Sequence, residues 1–156
     1  MEHHPPSTLQ SAPRRKPVSD SVAVFESLLA TDPASPQLRA DLAQALLAAG
    51  DLDGAIEEAS AVLRHHPSVV QAWLTRATAH KARHDFTAAA EDFARTVHLV
   101  PNRAGILVNQ AHCLAEQDRL AEAETILRRA VAVAPRSAEA QVSLGSVLVR
   151  RRRRKA

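Results

Sequence analysis

The 156-residue chain has no tyrosine, one cysteine, one tryptophan and four glycines, and its aromatic side chains amount to only 3%. Each scarcity excludes something. A lone Cys113 cannot close an internal disulfide, so cysteine usage gives no sign of an oxidising compartment. No Gly-rich loop of the kind that cradles phosphate is present, and no paired-carboxylate constellation suited to acid–base chemistry. No apolar run approaches the ~18 residues that a membrane span needs. The opening stretch MEHHPPSTLQSAPRRKPVSD lacks an apolar core and is not expected to be a secretory signal. The expected location is cytoplasmic.

What is present is alanine, charge and periodic proline. Charged residues make up 24% of the chain, and its formal net charge is +3. That sum hides an asymmetry. Three bases at Arg14–Lys16 and six at Arg150–Lys155 leave eleven between residues 19 and 149, against sixteen acids, so this body carries −5 between two basic ends. Pro33, Pro67, Pro101 and Pro135 share a 34-residue period. A period of about 34 is the mark of stacked helix–turn–helix units. Without it, the composition would equally fit partly disordered material.

The chain divides accordingly. Residues 1–18 have no period and are rich in Pro, Ser and basic residues, which predicts a disordered tail. A half-unit helix follows over 19–32, with Val22, Phe25, Leu28 and Leu29 on one face. Full units are expected at 36–67, 70–101 and 104–135, a capping helix at 137–149 and a basic tail at 150–156. Ser35, Ser68, Asn102 and Ser137 are candidate caps for the first helices, and Asp51 or Asp53 and Asp85 for second helices. Small residues recur at Ala43, Ala77, Ala111 and Gly145 and at Ala55, Ala89 and Ala123, where two helices must approach closely. Gln141, Leu144, Gly145 and Leu148 continue the packed columns into the last helix. Trp73 and Phe93 are the large residues expected to fill space between units.

These columns resemble the tetratricopeptide repeat. Trp73 matches its Trp column and Leu144-Gly145 its Leu-Gly pair. Ala55, Ala89 and Ala123 match its first Ala column, Phe25 and Phe93 its Phe column, and the four prolines its closing Pro. The resemblance covers about residues 19–149. Arg76, His80 and Gln110 depart from it, standing in columns that are usually apolar. It implies an all-α, right-handed superhelical solenoid whose first helices line a concave groove for a peptide or partner protein, with no cofactor, no metal and no enzymatic activity of its own.

On that face the resemblance places Asp41, Gln44, Gln71, Leu74, Thr75, Thr78, Val108, Asn109, His112, Val142 and Ser143. Leu74, Val108 and Val142 are expected to form an apolar strip, with Asp41, Thr75, Asn109 and Ser143 as a polar ladder beside it. Relatives that clamp a terminal carboxylate use Lys, Asn and Arg. The corresponding Ala40, Gln44, Thr75, Gly105 and Asn109 lack the cations, which argues against that specialisation. Asn109 resembles the groove Asn of arrays fused to sugar-transferring enzymes, so the alternative is the repeat portion of a glycosyltransferase- or sulfotransferase-like enzyme that positions protein substrates.

Other constellations carry less. His80 and His84 at i, i+4 have metal-ligand spacing, but one stands in a packing column and the other at a turn. His112 and Cys113 are adjacent on a helix and point apart. Glu57, Glu58, Glu91, Asp92, Glu122 and Glu124 read as a solvated outer face. The run Arg150–Lys155 could attract nucleic acid or an anionic membrane, but no aromatic is interleaved with it for base stacking. A solubilising or helix-terminal role is the plainer reading.

Overall fold

A computed structural model describes residues 19–156; the expectation of a disordered tail over residues 1–18 lies outside them. Among the described residues there are eight helices and no strand: α1 Asp20–Thr31, α2 Pro36–Ala48, α3 Leu52–His65, α4 Val70–Ala82, α5 Phe86–Leu99, α6 Ala104–Glu116, α7 Leu120–Val133 and α8 Ala138–Lys155. Each packs on the next, and α2 also packs on α4, and α6 on α8. This is an all-α repeat solenoid with α2/α3, α4/α5 and α6/α7 as its full units.

Local chemistry starts and stops these helices. The Ser35 and Ser137 hydroxyls accept from the backbone N–H groups of Leu38 and Ala140, and the Asp51 and Asp85 carboxylates from Gly54 and Ala88. Ser68 and Asn102 do not cap, because α4 and α6 start one residue later, after Val69 and Arg103. The capping column is 35, 69, 103 and 137, and only its first and last members are serine. Inside each full unit the chain reverses through a left-handed residue: Gly50 at φ 78°, His84 at 62° and Asp118 at 62°. Gly, and less often Asp or His, tolerate that conformation.

A second periodic device ties each first helix to the preceding proline. Arg39, Trp73 and Gln141 occupy one column, and each donates a side-chain N–H to a proline carbonyl six residues earlier, at Pro33, Pro67 and Pro135. Leu107 holds the column in the third unit and has no donor. There Arg129 of α7 supplies the bond to Pro101 instead, at 3.0 Å.

Apolar packing follows the array in three clusters rather than one ball. Val22 packs with Leu42 and Ala45, supported by Phe25 and Leu29. Ala40, Ala43, Ala59 and Val62 form the next, and residues from Ala77 to Val147 the largest, around Phe93, Leu107 and Leu127. Leu28 was expected on the packed face of α1 but is exposed. Gln141, Gly145 and Leu148 are exposed on α8 too, since no helix covers that face among the described residues.

The acids expected on a solvated outer face divide. Asp92 is buried and receives two hydrogen bonds from Arg76, both at 2.8 Å, and Glu58 pairs with Arg39 at 2.9 Å. Arg76 thus satisfies its charge in a usually apolar column and lies 5.0 Å over the Trp73 ring. Glu124 is buried between Arg128 and Arg151. Glu57, Glu91 and Glu122 are exposed as expected.

The last helix also differs from expectation. It does not stop at Val149 but continues to Lys155. The residue in register with Gly50, His84 and Asp118 is Arg152, which has no reason to turn left-handed. Arg150, Arg151 and Arg154 pair with Glu116, Glu124 and Asp118, and the cations suit a helix C-terminus.

Candidate functional site

The first helices α2, α4, α6 and α8 present one side-chain row each to a common face. At its beginning Gln71 is the hub. Its Nε2 donates to Asp41 Oδ1 at 3.0 Å and to Gln44 Oε1 at 2.7 Å, while its Oε1 accepts from Gln37 Nε2 at 3.1 Å. Asp41, Gln44 and Gln71, expected to share a face, are in hydrogen-bond contact. Gln44 is exposed, and the other two are half-buried.

In the middle, α4 and α6 are less closely apposed than α2 and α4 or α6 and α8. Lys81 spans this interval, with its Nζ donating to Asn109 Oδ1 at 2.6 Å, and Asn109 Nδ2 donates to its own helix at the Gly105 carbonyl. Thr78 is half-buried and bonds the Leu74 carbonyl. His112 is exposed and lies edge-on to Phe86, with ring centroids 6.1 Å apart. Beyond it Arg150 reaches back from α8 to Glu116 and to the Ala115 carbonyl, at 3.3 and 2.9 Å.

The apolar strip is not continuous. Leu74 packs partly into the core, Val108 is buried, and only Val142 stands out, 68% exposed. Thr75 is buried as well, which leaves the ladder as Asp41, Asn109 and the half-exposed Ser143. Val108 belongs to the largest apolar cluster and Leu74 packs against it, which draws both away from the surface. The face is therefore mainly amide, carboxylate and hydroxyl chemistry, able to donate to and accept from a peptide backbone. Sequence reasoning missed Lys81. Its signal was its column, in which Leu47, Ala115 and Val149 leave it the one cation.

The remaining candidates do not converge. His80 Nδ1 lies 3.7 Å from Asp85 Oδ2, whereas His84 stacks edge-on to Phe86. Among the described residues no group of three or more His, Cys, Asp or Glu side chains is placed to hold a metal ion. Cys113 is fully buried, and burial pushes its thiol up to about 11. Arg151 and then Arg128, each hydrogen-bonded to Glu124, hold its carboxyl below the ordinary range. Away from the first-helix face, a cavity of about 360 Å³ lies between α5, α6 and α7, lined by Ala90, Ala94, Gln110, Leu114 and Ile126. Gln110 Oε1 is buried without a donor among the described residues.

Solved structures with this fold include the 41-to-end piece of MamA from Desulfovibrio magneticus RS-1, at TM-score 0.79 and 17% identity over 83% of this chain and 73% of that one. The thermophilic TPR protein TTC0263 from Thermus thermophilus superposes at 0.66 with 18% identity, covering 82% and 71%. The TPR domain of Arabidopsis OM64 gives 0.67 with 15% identity, covering 72% and 93%. A direct comparison with curated protein sequences finds no match. No helix among the described residues is long and apolar enough to cross a membrane. The family model described as tetratricopeptide repeat matches residues 18–77 and again 81–145, which together span most of the sequence. The chain belongs to the tetratricopeptide repeat family.

Proposed function

We propose that the protein is a non-enzymatic interaction module that receives an extended segment of a partner protein along its first-helix face. The observation that carries this reading is the interval between α4 and α6, bridged by Lys81 and Asn109 and entered from the Gln71 cluster. A segment lying there meets Gln44, Gln71, Thr78, Asn109 and His112 in turn. Amide side chains can both donate to and accept from a backbone, and beyond the bonds already made Gln44 Nε2, the second N–H of Asn109 and a second lone pair on each amide oxygen remain for a ligand. Membership of the repeat family supports the general role. The polar character of the face supports backbone recognition over insertion of large apolar anchors.

The test is selection of binding peptides from a displayed library on the full chain, followed by affinity measurement against Gln71→Ala with Asn109→Ala. Affinity should fall by about five- to thirtyfold, as expected for losing ~1–2 kcal/mol of hydrogen bonding, with circular dichroism unchanged. Undiminished affinity would sink the proposal. Arg152→Ala with Arg153→Ala serves as the control for the basic end. Three of the cations there are committed to Glu116, Glu124 and Asp118, so capture of a strand of phosphates is the weaker reading.

A further inference from the structure

The two ends of the array are complementary. Helix α8 is in first-helix register, and the face that should carry its second helix is uncovered among the described residues. Three successive 34-residue steps back from Gly145 reach Ala111, Ala77 and Ala43, all 0% exposed, whereas Gly145 is exposed with nothing within 4 Å of where a Cβ would stand. Leu148 and Val149 are exposed beside it, although Leu114 and Ala115 in the same columns are buried. Helix α1 is the converse: a second helix whose own unit has no first helix among the described residues. Val24 and Leu28 are 54% and 44% exposed on it, while Val62, Thr96 and Ala130, in register with Leu28, are nearly or wholly buried.

We propose that these faces recognise each other between copies. Helix α1 of one copy lies along α8 of another as the second helix of a fourth unit. The same copy's α2 then follows beside α8, much as α8 follows α6. Each surface supplies what the other lacks: Gly145 permits the close approach that alanine permits inside the array, and Val24 and Leu28 fill the columns that Glu58 or Asp92 and Val62 or Thr96 fill there. Charge agrees. Helix α1 carries Asp20 and Glu26 and no base, whereas α8 carries six bases against Glu139, with Arg152, Arg153 and Lys155 exposed. The contact is heterologous, so it extends chains head to tail rather than stopping at a symmetric pair. It uses the ends and leaves the first-helix face of each copy open, so it stands or falls independently of peptide binding.

Sedimentation equilibrium on the full chain tests this, with each variant first shown folded by circular dichroism. The parent should gain average mass with concentration, less so at high salt. Gly145→Glu with Val149→Asp blocks the α8 end, and Val24→Glu with Leu28→Glu blocks the α1 end. Each should be monomeric alone, and their mixture should form one-to-one dimers, because one intact end remains on each. Gly145→Gln raises helix propensity, and should still weaken association several-fold. A parent that stays monomeric overturns the proposal. So does a blocked variant that associates with itself as well as the parent does, which would indicate like-with-like contact. Association abolished by deleting residues 1–18 would assign the α8 face to that segment and overturn it too.

Discussion

Breaking the Arg76–Asp92 pair should cost more than replacing it. Asp92→Ala strands a guanidinium in a packed column. A fully buried orphan of this kind costs about 3–5 kcal/mol. The Arg76 side chain is 21% exposed against 7% for Asp92, so water offsets part of that and a loss of about 2 kcal/mol is expected. Arg76→Leu combined with Asp92→Ile places there the residues that stand in register at Leu42 and Ile126, and should remain within about 1 kcal/mol of the parent. Urea unfolding of the three proteins measures this, and a double variant no more stable than Asp92→Ala would contradict it. Cys113 gives a second residue-scale expectation. The thiolate is the reactive form, and a thiol raised to about 11 holds little of it near neutral pH. Native protein should label slowly, and urea should speed labelling sharply. Equal rates in the two conditions would show that Cys113 is open to solvent in the folded chain.

Where one helix of a unit gives way to the next, a single left-handed position makes the turn. The left-handed position recurs at Gly50, His84 and Asp118. His84→Val puts a β-branched residue there and should destabilise by about 1–2 kcal/mol relative to His84→Gly. Comparing Val with Gly isolates the backbone term, since both variants lose the edge contact with Phe86. Equal thermal stability would rule that term out. At the fourth recurrence Arg152 lets α8 run on to Lys155, an outcome legible only once the turn column is known. Glu124 helps hold that extension through Arg151. Its carboxyl titrates lower when folded than when unfolded, so its contribution is complete above about 4.5 and is lost as pH falls below that value. Amide protection over residues 150–155 should therefore decline on acidification in the parent, and Glu124→Gln should be low at the start and much flatter. A parent whose protection is constant down through the acid range would contradict this anchoring.

Across the whole molecule, stability is a chain of neighbour contacts. Phe93 is fully buried at the join of α5 with the largest cluster, so Phe93→Ala should cost about 3–5 kcal/mol out of the ~5–15 typical of a domain. Thermal unfolding should move far down in temperature; a shift as small as that from a surface substitution would mean the repeats unfold independently. The array itself was legible because proline and small-residue columns repeat at one spacing. Asp41, Gln44 and Gln71 were legible as one face for the same reason. The burial of Thr75 and Val108 was not, since the period fixes which helix face a residue occupies but not how far neighbouring helices cover it. Lys81 stands in a column that otherwise reads as packing, so its being the one cation there was the only signal it gave. The most direct measurement is a backbone NMR titration of the full chain with a library-selected peptide. Shifts should centre on Gln44, Gln71, Thr78, Asn109 and His112, with α3, α5 and α7 little changed. Shifts confined to Arg152–Lys155, or to the cavity beside Gln110, would contradict a partner segment lying along the first helices.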